Sequence, residues 1–198
     1  YNLPVIEDAT ESLGATYHGS KIGNMGDIAC FSFNGNKLIT TGGGGMIATN
    51  DKTHASNLKY LSTQAKDDPI EYIHNQIGYN YRLTNLQAAM GCAQLEQVDS
   101  YLQQKKQIYK NYKEQLSHVR GLSVMKEAAW ADSAFWLSTI LIDQNQYGIS
   151  SRQLLERLRY NQIETRPIWQ PLHKSEALQG CWATDCSVSE AIAKDALS

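Results

Sequence analysis

Three features of the chain could do chemistry. Asp8 closes a short apolar run, Val5-Ile6-Glu7-Asp8, which reads as a buried strand with carboxylates at its C-terminal tip. Open α/β sheets bind ligands at the carboxyl ends of their strands. A carboxylate there can pair with a protonated pyridine nitrogen and keep the ring an electron sink, which is what pyridoxal phosphate asks of its protein. Asp8 could equally cap the helix that follows. Lys37 stands in Ser32-Phe33-Asn34-Gly35-Asn36-Lys37, after a second apolar run and before a glycine-rich turn. A lysine so placed can reach into a crevice, attack a carbonyl as free amine and later shuttle a proton. The plainer reading is a solvated loop lysine. The third feature is Gly42-Gly43-Gly44-Gly45. It fits neither G-x-x-x-x-G-K-[ST] nor G-x-G-x-x-G before a helix. A tight turn leading into a strand at Met46 suits it better than a phosphate cradle.

The elements that must position these residues can be read from periodicity. Ile28–Phe33 and Gly45–Thr49 are apolar on both faces, as in a sheet covered by helices. Asp51 or Thr53 caps a helix to about Leu61, and Thr84 opens another with a stripe of Leu86, Ala89, Met90, Ala93 and Leu95. A polar helix continues from about Val98 to Leu116. Strands are predicted at 122–124, 136–142 and from Ile163 to Arg166, with a helix from Ser150 to Tyr160. Ser187–Ser198 reads as a helix, cut off in mid-pattern. The chain opens without methionine in a strand-like run, so both ends read as the ends of a segment.

Composition narrows the function. Charged residues make up 19% and the net charge is -2 with the signs mixed, which lacks the clustered Lys and Arg of a nucleic-acid binder. No apolar run nears the roughly 20 residues of a membrane helix, and no basic start or long apolar core suggests a signal peptide. Cys30 and Cys92 sit in apolar patterns; Cys181 and Cys186 show no zinc spacing. No metal site is expected, and a reduced, cytoplasmic enzyme is the economical reading. His18, His54, His74 and His118 read as surface residues. Trp130, Trp136 and Trp182 read as core or interface fillers.

Four ordered blocks carry a family resemblance. They are Glu7–Ala15 with Gly26-Asp27; Phe31-Ser32-Phe33 with Lys37 and Thr41–Gly45; Gly78–Ala89; and Arg166–His173. Together they resemble the DegT/StrS sugar aminotransferases, fold-type-I pyridoxal-phosphate enzymes. The resemblance implies an α/β fold. Residues 1–105 would be part of the cofactor-binding large domain, a mostly parallel sheet between helices. Residues 106–198 would be a linker helix and part of a smaller α+β domain. It implies that Lys37 is the Schiff-base lysine, Asp8 the partner of the pyridine nitrogen, Glu11 a polar neighbour of the ring and Ser32 a phosphate ligand. Asn80 falls on a residue reaching the cofactor phosphate of a neighbouring subunit, hence a homodimer with a shared site. Arg82, Arg166, Trp169 and His173 fall near the substrate.

The implied reaction moves an amino group, from glutamate, to a nucleotide-linked keto-sugar. The expected acceptor is a UDP-4-keto-6-deoxy-hexose used for bacterial surface glycans. Some relatives carry histidine at the lysine position and dehydrate sugars, so Lys37 favours transamination. The chain resembles about the central half of a family member, lacking the first phosphate-binding turn and the ring-stacking aromatic. Two rivals are a homologue that kept the fold and lost catalysis, and a flavodoxin-like domain using the glycine run. Retention of both Asp8 and Lys37 argues against the first. The second leaves Asp8, Lys37 and the Arg166 stretch unexplained.

Overall fold

The computed structural model describes residues 2–198, and these form two compact units. The first holds the residues up to Lys106 together with Glu127–Trp136; the second holds Gln107–Lys126 and Leu137–Ser198.

In the first unit, β1 (Ile6–Asp8) lies parallel to β4 (Ile28–Ser32), with Ile6 opposite Ile28 and Asp8 opposite Cys30. β4 then pairs antiparallel with β5 (Gly45–Ala48). The switch follows from the connection. A loop without a helix joins β4 to β5, and parallel neighbours need a longer crossover. Gly45 is forced by this pairing, because a Cβ there would lie 2.3 Å from the Phe31 carbonyl oxygen. Between β1 and β4 the chain makes a small ribbon, β2 (Thr16–Tyr17) and β3 (Ser20–Lys21). His18 and Gly19 both take positive φ at its turn, the geometry that matches strand twist in a tight hairpin.

Two helices follow. Asp51 caps α1 (Lys52–Ser62) by accepting from the His54 N–H at 2.8 Å. Thr84 and Gln87 form a reciprocal capping box on α2 (Asn85–Leu95). The apolar stripe of α2 does not enter a core of this chain: Leu86 is 85% exposed, and Met90 and Leu95 are about half exposed. α3 (Val98–Leu116) runs on into the second unit.

The second unit is an antiparallel sheet of β6 (Leu122–Val124), β8 (Ile140–Ile142) and β9 (Ala196–Leu197), with β8 in the middle. The remaining strand, β7 (Ala131–Asp132), belongs to the first unit, where it pairs with β2. Asp143 caps the short α4 (Gln144–Tyr147), and Ser150 with Gln153 caps α5 (Ser151–Tyr160). Ile142, Leu154 and Leu197 form the core. α6 (Ser187–Asp195) is tied to α5 by the buried Ser151 hydroxyl, which donates to the Lys194 carbonyl at 2.6 Å.

Three expected elements differ. The strand expected over 136–142 is confined to Ile140–Ile142, because Trp136 packs in the first unit. No strand forms at Ile163–Arg166; Pro167 has no N–H to extend a ladder, and only the Arg166–Ser198 backbone pair and a bridge from Pro167 to Leu197 remain. The terminal helix stops at Asp195, and the chain closes as β9. Among the described residues, no helix is long and apolar enough to cross a membrane.

Candidate active site

The adjacent acids of the first run divide their work, since consecutive strand side chains point to opposite faces. Glu7 accepts from the backbone N–H groups of Gly23 (2.8 Å), Met25 (2.6 Å) and Gly26. The Gly26 bond is the chief cause holding its carboxyl below the ordinary range. Asp27 accepts from the Val5 N–H at 2.7 Å. Together they fasten the loop before β4 to β1. Asp8 turns the other way. Its Oδ1 accepts from the Thr10 hydroxyl at 2.7 Å and the Thr10 N–H at 3.2 Å. Those bonds, with the charge of Lys37, keep the Asp8 carboxyl below its ordinary range, so it stays ionised at neutral pH.

Lys37 stands opposite. Its side chain is only 12% exposed. Nζ lies 3.1 Å from Glu11 Oε1 and 4.2 Å from the centroid of the Trp136 ring. The Glu11 carboxylate accepts a hydrogen bond from the amine, and the indole face packs against it. The loop that carries the lysine is held at several points. The Lys37 N–H donates to the Asn34 carbonyl, and the Asn34 N–H to Ser32 Oγ at 3.3 Å. Ser32 thus accepts through its oxygen and keeps its own proton to donate. The glycine run helps close this loop. The Phe33 N–H donates to the Gly44 carbonyl, and the Thr41 N–H to the Phe33 carbonyl, both at 3.0 Å.

Asp8, Glu11, Ser32 and Lys37 are therefore gathered at the carboxyl ends of β1 and β4. An ionised carboxylate, a shielded amine and a hydroxyl with a free proton match the ring nitrogen, aldehyde and phosphate of pyridoxal phosphate. Asn80 and Arg82 belong to the same unit and bond to each other, Arg82 Nε donating to Asn80 Oδ1 at 3.0 Å. Among the described residues, no hydrogen bond joins them to the Lys37 cluster. Both side chains are exposed, in a stretch where Ile77 and Tyr81 are exposed too.

The second unit holds the other expected residues, but does not cluster them. Arg166 is 77% exposed and pairs with Glu164 at 2.8 Å. His173 Nε2 lies 2.8 Å from Glu190 Oε1, which Lys174 also approaches at 3.0 Å. Those two partners, His173 first, hold the Glu190 carboxyl below its ordinary range. Arg166 and His173 line separate grooves, and Trp169 is exposed.

Trp136 is the site residue that sequence reasoning missed. Its type and surroundings in the sequence suggest a core or interface filler, and it is indeed buried, but against Lys37. Its indole N–H donates to the Asn36 carbonyl at 2.6 Å, one hundred residues away along the chain. No spacing rule could have paired them.

The fold is that of the fold-type-I aminotransferases. The chain belongs to the DegT/DnrJ/EryC1/StrS aminotransferase family, whose model matches residues 1–198. It is 44% identical to EpsN of Bacillus subtilis over 173 residues, 87% of this chain and 44% of EpsN. It is 40% identical to the GDP-perosamine synthase of Caulobacter vibrioides over 202 residues, 100% of this chain and 53% of that enzyme. The fold matches Helicobacter pylori PseC, an aminotransferase involved in the biosynthesis of pseudoaminic acid. The TM-score is 0.89 at 24% identity, covering 99% of this chain and 53% of PseC. The chain spans about half the length of the relatives it matches.

Proposed function

We propose that the protein transfers an amino group from glutamate to the keto carbon of a nucleotide-linked 4-keto-6-deoxy sugar, using pyridoxal phosphate. It would do so in the cytoplasm, supplying amino sugars for bacterial surface glycans. Pyridoxal phosphate supplies the electron sink when bound; the rest is the work of this chain. Lys37 would hold the cofactor through Nζ. Asp8, kept ionised by Thr10, would hold a proton on the ring nitrogen. Ser32 Oγ would donate to the phosphate. Glu11 Oε1, 3.1 Å from Lys37 Nζ, can take up or return a proton at that nitrogen. The observation that carries the reading is this shielded lysine, paired with Glu11 and near the ionised Asp8 at the strand ends.

Asn80 would serve the phosphate of a second copy in a homodimer. The solvent-facing stripe of α2 and the exposed Ile77 and Tyr81 beside Asn80 support a partner there. Arg82, Arg166, Trp169 and His173 would meet the nucleotide sugar. We take the nucleotide to be UDP. A second reading, GDP, is favoured by the 40% identity to a GDP-perosamine synthase.

The test is an absorption spectrum with added pyridoxal phosphate, beside a Lys37→Ala variant. A visible band that borohydride bleaches, absent in the variant, supports the reading. A band that persists in the variant overturns Lys37. Glutamate with UDP- and GDP-linked keto-sugars, read by mass spectrometry of the product, then decides the nucleotide.

A further inference from the structure

Trp136 makes two separate contacts with the lysine loop. Its indole N–H holds the Asn36 carbonyl, and its ring face meets Lys37 Nζ. The tryptophan is itself fixed from outside that loop. Lys105 Nζ of α3 donates to the Trp136 carbonyl at 3.1 Å, and the neighbouring Lys106 pairs with Asp132 of β7 at 2.5 Å. β7 in turn pairs with β2. The return segment Glu127–Trp136 is thus strapped to the first unit along its length, and its last residue bears on the lysine.

We propose that Trp136 is a positioning residue for Lys37, seating the backbone of the lysine loop through its N–H and the lysine amine through its ring. This rests on the reading of Lys37 as the cofactor-bearing lysine. Of the charged groups near that amine, Glu11 accepts a hydrogen bond from it at 3.1 Å and Asp8 acts through charge alone, so neither holds the backbone of the loop that carries it. The ring supplies a wall. It limits the directions in which the side chain can swing, and it covers one side of a nitrogen that must later be exposed only to its reactant.

The two contacts are separable by substitution. Trp136→Phe keeps an aromatic face and loses the N–H. Trp136→Leu keeps apolar bulk and loses both. The chain is acetylated with a limiting amine-reactive ester, and Lys37 labelling is followed by peptide mass spectrometry against exposed Lys52. Amide hydrogen exchange is followed over residues 33–41. In Trp136→Leu, Lys37 labelling is expected to rise about fivefold relative to Lys52, the size of a shielded cation–π contact. In Trp136→Phe it stays near wild type, while exchange in the loop rises. Unchanged Lys37 labelling in a folded Trp136→Leu overturns the proposal. So does unchanged loop exchange in Trp136→Phe, which decides the matter if the leucine variant does not fold. Borohydride trapping of added pyridoxal phosphate is run in parallel. Trapping at a lysine other than Lys37, with the labelling pattern as expected, sinks the cofactor reading and leaves the positioning intact. Trapping at Lys37 without the labelling pattern does the reverse.

Discussion

The residues around Lys37 and those around Arg166 are held in opposite ways. Lys37 is shielded, and its neighbours come from distant parts of the chain: Glu11 after β1, Asp8 at its tip and Trp136 on the return segment. Arg166 is exposed and bonds through its side chain to Glu164, two residues away. His173 lies between these cases, part-buried and paired with Glu190 of α6. A group that must act on one atom needs its direction fixed by several elements. A group that meets a large, variable ligand can wait in solvent with a local partner. Under the proposed function, the contrast suits chemistry carried by the first unit and sugar-nucleotide recognition carried in part by the second.

The largest expected effect tests the chemical half of that contrast. Asp8→Asn should lower amino-transfer turnover on the order of several hundredfold, as removal of a preorganised charge does, with little change in the denaturation midpoint. Steady-state kinetics beside a urea melt would show it. An equal loss of stability would make Asp8 a structural residue instead. Next comes Leu154→Ala in the core of the second unit, expected to cost about 3 kcal/mol in urea unfolding. Lys37 labelling in the folded variant should not change; if it does, the two regions are less separate than argued.

Smaller still is the effect of Glu7→Gln. The Glu7 carboxyl is held below its ordinary value of 4.5 by the backbone N–H groups it accepts. A depressed carboxyl contributes stability above its unfolded value and loses it as pH falls through the folded one. Wild type should therefore lose stability from about pH 4.5 downward more steeply than the glutamine variant. Parallel slopes in the two proteins would remove Glu7 as the fastener of β1. The smallest change is Arg166→Ala, which should alter stability by less than about 0.5 kcal/mol, since exposed pairs contribute little. Its signature would be a raised KM for the sugar nucleotide at nearly constant kcat; a matching fall in kcat would place Arg166 in the chemistry.

Much of the first unit was legible because local rules decide it. β1, β4 and β5 are apolar runs, and Asp51 and Thr84 are capping residues at the starts of α1 and α2, as Ser150 is for α5 in the second unit. Asp8 and Lys37 stood out because strand ends and glycine turns punctuate the sequence around them. The rest was hidden for physical reasons. β2, β3 and β7 are two residues long, too short to show any period, so the return of Glu127–Trp136 to the first unit left no trace. The sequence places Glu7 beside Asp8 at the strand tip without a role for it, and only the alternation of β1 turns it toward the loop at Gly23–Gly26. The stripe on α2 announced a helix correctly, but periodicity does not tell whether an apolar face is covered by its own chain.

The bond from Trp136 to the Asn36 carbonyl also has a consequence in time. Closing a loop of one hundred residues is entropically slow to reward, so this contact belongs among the last to form. During synthesis Asp8, Glu11 and Lys37 leave the ribosome long before the residue that seats the lysine. A nascent chain would carry Asp8, Glu11 and Lys37 together, yet hold the amine loosely until the return segment arrives. Trapping pyridoxal phosphate on stalled chains ending before and after residue 136 would reveal that step.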